Sequence, residues 1–285
     1  MSKLLFAILK VVGIIFIIFL IATFAANQIF KQKVRKEVRD LSDVQEGRER
    51  EIVTEKDLDK LPSCVKRWLT NIQVIGKEKI RTVRLKQKGL IRTKEGQPWM
   101  PFEAEQYVAV DRPGFIWYVK VKAAPLIYLS GRDIFYQARG NMLIKLLSII
   151  TVADGKGKEI DQGSLVRYLA EISWYPTAVL SDYIKWEEID DNSAKATITV
   201  EDVTASGIFY FDQNGNFFKF RGERYKEEQG SYSLGIFAGY MTDYQEFKGI
   251  ILPSLAEARW ELPEGDFSYF QGRIGEIEYN KAEFY

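Results

Sequence analysis

Three places in the chain set reactive residue types at working intervals. Glu103 and Glu105 stand two apart in an alternating stretch, Arg167 and Glu171 four apart in a helical one, and Asp212 to Glu223 carries oxygens at the spacing of a calcium loop. Two carboxylates on one strand face lie about 7 Å apart, within the general range of glycosidase acid pairs. Neighbouring acids on a wet strand are more simply solvent-facing, and Glu103 and Glu105 are read that way. On a helix surface, Arg167 and Glu171 at i, i+4 form a pair worth roughly 0.2–0.5 kcal/mol. Turned into a cavity, the same pair anchors a polar headgroup, because buried charges need partners. The calcium-loop match fails: Phe217 takes the place that requires glycine, and the flanks read as strands rather than helices.

Composition removes more chemistry than it supplies. No histidine occurs in 285 residues, which excludes Ser-His-Asp and Cys-His nucleophiles, histidine metal ligands and the usual near-neutral proton shuttle. The single cysteine, Cys64, allows no intrachain disulfide, redox pair or zinc knuckle, and beside Val65 and Trp68 it reads as a small buried residue. No phosphate loop or dinucleotide fingerprint is present, and Gly155-Lys156-Gly157-Lys158 reads as a basic turn. With 40 basic and 39 acidic residues, the net charge of +1 gives no field for a nucleic acid. No metal, cofactor or catalytic residue is expected; an enzyme would have to work with carboxylates and tyrosines alone.

Aromatic residues are the stronger signal. Trp99, Phe102, Trp117, Tyr136 and Trp174 fall where a cupped sheet would gather them, and with Arg167 and Glu171 they form the candidate ligand-binding set. The alternative is that they fill a solid core.

The elements that must position them change period along the chain. Val65, Trp68, Leu69 and Ile72 recur at helical spacing after Pro62, and Thr54 with Asp57 resembles a capping box. From Lys79 the period is two. Phe102, Ala104, Gln106 and Val108 alternate with Glu103, Glu105 and Tyr107; past Pro113-Gly114, Phe115, Trp117, Val119 and Val121 alternate with Ile116, Tyr118, Lys120 and Lys122. Such strands with one wet face imply an antiparallel meander. Further strands are expected at Leu126–Leu129 and Leu143–Val152. A helical insertion at about 162–183 follows, stopped or kinked by Pro176. Strands then resume, with Asn214-Gly215 the best hairpin signal. The expected class is mainly β (α+β), a curved antiparallel sheet or open half barrel of about nine or ten strands with two or three helices.

Ahead of this lies a nearly unbroken apolar run, Leu4 to Ala26, interrupted only by Lys10. At about 1.5 Å per residue a helix of that length crosses a hydrocarbon core roughly 30 Å thick. The expected organisation is a transmembrane anchor over 1–30, a charged stalk over 31–56, helical or flexible and read as a solvated tether, and the β domain over 57–285. A cleaved signal peptide, with Thr23-Phe24-Ala25 as its cleavage site, and a buried helix are the alternatives. Lys3 and Lys10 favour a cytoplasmic N-terminus, while Lys31, Lys33, Arg35, Lys36 and Arg39 count the other way.

Leu61-Pro62, Trp68-Leu69, Gln97 to Phe102 and Arg167 to Ala178 together resemble an uncharacterised family of bacterial single-pass membrane proteins, over about Leu61 to Arg224. That family brings no activity. The tail Tyr244 to Pro253 resembles the strand–Gly–Pro–strand pattern of lipoprotein-carrier-like half barrels. The likeness implies a curved sheet cupping helices over an apolar cavity, and cargo carriage outside the cytoplasm. It favours an exported domain at the cell membrane, though soluble carriers keep no anchor. Two functions stand first: a membrane-anchored binding domain for a lipid or other amphipathic ligand of the cell envelope, and an envelope scaffold or protein-interaction module without a small ligand. The expected partners are membrane lipid at the N-terminal helix, a lipid or amphipathic ligand, and an envelope protein, with no nucleic acid.

Overall fold

The computed structural model describes residues 2–42, 50–228, 230–281 and 283–285. Helix α1 covers Ser2–Ser42 and α2 covers Ser63–Asn71. Six strands follow: β1 (Thr82–Ile91), β2 (Met100–Ala109), β3 (Gly114–Ala124), β4 (Ile127–Tyr136), β5 (Arg139–Leu146) and β6 (Ile150–Lys156). Helix α3 (Lys158–Ala170) runs into 3-10 turns at Glu171–Trp174 and Pro176–Leu180. Strands β7 (Ile184–Asp190), β8 (Ser193–Val200), β9 (Val203–Phe211), β10 (Phe217–Glu228), β11 (Ser231–Phe247), β12 (Ile250–Glu261) and β13 (Phe267–Tyr279) complete the chain.

All thirteen strands form one curved antiparallel half barrel, in the order β6-β5-β4-β3-β2-β1-β13-β12-β11-β10-β9-β8-β7. Each strand pairs with its sequence neighbour except where β1 meets β13 and closes the middle of the sheet. The two edges, β6 and β7, are joined by α3 and its 3-10 turns, so this link must cross the concave face. Its apolar residues, among them Leu165, Leu169 and Ile172, are fully buried there. Tyr168 Oη donates to the Ala109 carbonyl (3.2 Å) and Trp174 Nε1 to that of Pro253 (3.1 Å), pinning the link to β2 and β12. Helix α2 closes the other end of the core, with Trp68 against Phe211 and Phe217 at 5.9 and 5.7 Å.

The sheet has more strands than the nine or ten expected because two turns carry no turn residues. Gln137-Ala138 between β4 and β5, and Leu147-Ser148 between β5 and β6, all adopt positive φ (50°, 57°, 52° and 62°). Asn-Gly or Asp-Gly is the usual sequence at such a left-handed pair. The segment Leu143–Val152, read as one strand, therefore breaks into the end of β5, a turn and the start of β6.

Helix α1 is long and apolar enough to cross a membrane, by length and composition. It does not give way to a solvated tether at Lys31. Through Ser42 it stays helical and lays Phe30, Val34, Val38 and Leu41 on the convex face, against Tyr107, Ala109, Ile116, Tyr118 and Leu143. These four recur at i, i+4, i+8 and i+11, a helical stripe that the surrounding charges obscure. The face of β2 and β3 read as wet is dry where α1 covers it. Of the expected stalk, residues 43–49 lie outside the described residues.

Candidate functional site

Alternation along the strands sends one set of side chains into the cup. On β3, Phe115, Trp117, Val119 and Val121 point inward, while Ile116 and Tyr118 meet α1. Below α3 the inward set does not close up. It leaves a cavity of about 240 Å³, walled by Met100, Val121, Leu129, Ile144 and Phe270 among others. A dry cavity of about 150 Å³ already accepts benzene, so this one holds a short alkyl chain or ring.

The polar groups in this cavity converge from separate elements. Arg167 on α3 donates to Asp133 on β4 (2.7 Å) and to Glu171 (2.8 Å), and its guanidinium lies over the Phe115 and Trp117 rings at 4.9 and 4.8 Å. Burial alone would lower the Arg167 pKa. The Glu171 and Asp133 carboxylates more than offset it, so the pKa rises and the cation is held charged. Gln106 Nε2 donates to the second Glu171 oxygen (2.6 Å), and Trp117 Nε1 to Gln87 Oε1 (2.9 Å). Both acids are thus satisfied.

Arg224 on β10 also lines the cavity and is held differently. One of its N–H groups donates to Tyr269 Oη (3.2 Å), its plane lies over Phe237 at 5.2 Å, and its buried Nε has no hydrogen-bond acceptor. No described carboxylate forms an ion pair with it. Burial raises the pKa of the Tyr269 phenol although both Arg224 and Arg167 favour its ionised form. That Nε packs beside Gly163 of α3, while the guanidinium as a whole lines the cavity beside apolar walls, a setting suited to an anionic oxygen.

Of the residues singled out in the sequence, Trp117, Arg167 and Glu171 meet in this cavity. Phe102 backs it from behind, packed on Trp117 and Phe270 at 5.8 and 5.2 Å. The other three do not join them. Trp99 lies outside the strands under Arg92 (4.5 Å). Tyr136 is on the convex face with its hydroxyl toward the Asp40 carbonyl (3.3 Å). Trp174 is sealed into the core. Glu103 pairs with Lys88 (2.8 Å) in solvent, and Glu105 accepts from Tyr107 Oη (2.9 Å). Asp133 and Arg224 went unrecognised. Arg224 shares strand parity with Phe220 and Gly222, and a charge on the inward parity of a strand is the signal that marks it. Among the described residues no group of acids or cysteines could hold a metal ion.

The family of unknown function DUF6544 matches residues 51–272, and the chain belongs to that family. No curated protein matches the sequence. A solved structure of a LolA superfamily protein from Nitrosomonas europaea is similar over 77% of this chain and 93% of its own, with a TM-score of 0.41 and 9% identity.

Proposed function

Starting from a family without an assigned activity, we propose that the chain is a membrane-anchored binding domain whose half barrel takes the apolar part of a lipid or other amphipathic ligand. The cavity beneath α3 carries this reading. It joins apolar walls to Arg224, which forms no ion pair among the described residues and whose buried Nε is unsatisfied, and leaving a polar group so costs about 1–3 kcal/mol. A ligand with an alkyl tail and an anionic end answers both features. Apolar walls with a few placed polar groups are the usual makeup of a small-molecule site. The apolar N-terminal run supports an anchor, which keeps such a domain beside its source of ligand.

The test is native mass spectrometry of the full chain released gently from membranes. Co-purifying mass that extracts into organic solvent and is identified as an amphiphile supports the reading. A chain that is empty in every preparation, and does not bind decanoate added back, sinks it.

A further inference from the structure

The ends of the sheet are unlike one another. Leu41 packs at Gly114, where β3 begins, the Phe30 ring tilts against Tyr118 at 6.0 Å, and Asn27 reaches Ser148, whose hydroxyl bonds Ser130 at 2.8 Å. The apolar residues before Asn27 therefore leave the domain on the side where β3 ends and β4 begins. On that same side the turns present Leu126, Ile127, Ile149, Ile150 and Val152 to solvent, with Leu126 83% exposed. Leu126 holds φ 62°, a left-handed conformation that is costly for a bulky side chain. From Ser130 to Leu126 is four residues of extended chain, about 13 Å, which equals about nine residues of helix. That span sets the turn alongside the apolar half of α1.

Charge fits the same surface. Lys120 and Lys122 border a groove with Leu126 and Ile127, and Lys31 and Lys120 border another with Asn27. Glu103 and Glu105 share these grooves, and Glu103 is paired with Lys88, but the lysines outnumber them. Apolar tips beside surplus lysines suit an interface with anionic headgroups. The cavity also reaches this end. Its wall residues Val121 and Leu129 are paired, and the same register row continues through Leu146 to the exposed Ile150.

We propose that the turns at 124–127 and 147–152 rest in the interface of the bilayer that α1 enters, and that ligand passes there between membrane and cavity. The occupant of this surface is the lipid bilayer; the contact rests on the anchoring proposed above, and passage of ligand rests on the ligand reading as well. The test uses the full chain in vesicles of phosphatidylcholine with one quarter phosphatidylglycerol. Leu126→Cys carries an environment-sensitive fluorophore, and Arg112→Cys at the opposite end of the sheet is the control; Cys64 is buried and does not compete for label. The expected result is a blue shift and quenching by spin-labelled lipid at 126, with quenching by aqueous iodide at 112. If iodide quenches 126 as readily as 112, the proposal is overturned and the patch belongs to a protein partner. A lipid-quenched label on a chain that binds no decanoate keeps the contact and sinks the ligand reading, so the two failures are distinct. Leu126→Asp and Ile150→Asp, on a chain whose circular dichroism is unchanged, lose the lipid quenching of a label at Ile127→Cys.

Discussion

Arg167 and Arg224 line one cavity in opposite circumstances, and the difference decides what each does. Arg167 is buried between two carboxylates, so Arg167→Met leaves Asp133 and Glu171 charged in an apolar place. The expected loss is about 3–5 kcal/mol in denaturant unfolding, because removing one partner of a buried pair strands the other. Arg224 forms no ion pair among the described residues, and Arg224→Gln should leave unfolding nearly unchanged. A charge-assisted hydrogen bond is worth about 1.5–3 kcal/mol, so the same variant should bind decanoate about 10- to 100-fold more weakly. Decanol, with the same tail and no charge, should bind both proteins alike in calorimetry; equal losses for acid and alcohol would remove Arg224 from the site. Sequence spacing exposed Trp117, Arg167 and Glu171, since each lies in a stretch of clear period. Asp133 comes from a strand that the sequence showed only at its start, and Arg224 sits in a strand read for its hairpin. Which charge faces which is set by sheet curvature, and no local pattern holds that.

At the scale of the element, α1 combines two helices of different character in one rod. Its first part is apolar all round, and its last part lays one stripe on the sheet under a coat of lysines and arginines. Between that last part and β4 runs an ion pair, half-buried Glu37 with buried Arg132 at 3.3 Å. Burial raises the Glu37 pKa, and Arg132 offsets only part of that. The docked helix therefore binds a proton more tightly than the free one, and the ionised form opposes docking. Docking should tighten as pH falls through the raised pKa, with the gain complete below the carboxyl's ordinary value. Hydrogen exchange of residues 30–42, corrected for intrinsic rates, should show added protection in mild acid. The same profile taken on Glu37→Gln should be flat. Val34→Asp puts an unpaired charge against Ile116 and Tyr118, at a cost of about 3–5 kcal/mol, and should expose the helix to protease while leaving the sheet intact. The hairpins at Pro113-Gly114 and Asn214-Gly215 were legible because those residues accept turn conformations readily. Leu147-Ser148 was not legible, since the sheet forces on it what its sequence disfavours.

For the whole molecule the question is whether the space under α3 is a site or a packing fault, and stability separates the two. A ligand that binds only the folded chain stabilises it by about 2.7 kcal/mol at a hundred times its dissociation constant. For a domain of this size that is a rise in melting temperature of about 5–10 °C, so a stripped chain should melt lower and recover on adding decanoate. Filling the space is the sharper trial. Ala258 lines the cavity from β12, and Ala258→Leu adds methyl groups where no atom now stands. If the void is a fault, filling it gains about 0.5–2 kcal/mol and removes nothing. If it is a site, the empty chain gains the same stability while decanoate no longer raises the melting temperature. Cores pack to crystal-like density, and a domain that buries Trp68, Trp174, Tyr168 and Phe115 has the means to close this one. That it instead keeps a void beside a guanidinium without an ion pair among the described residues is what the proposed ligand site requires, and the response of Ala258→Leu to decanoate decides it.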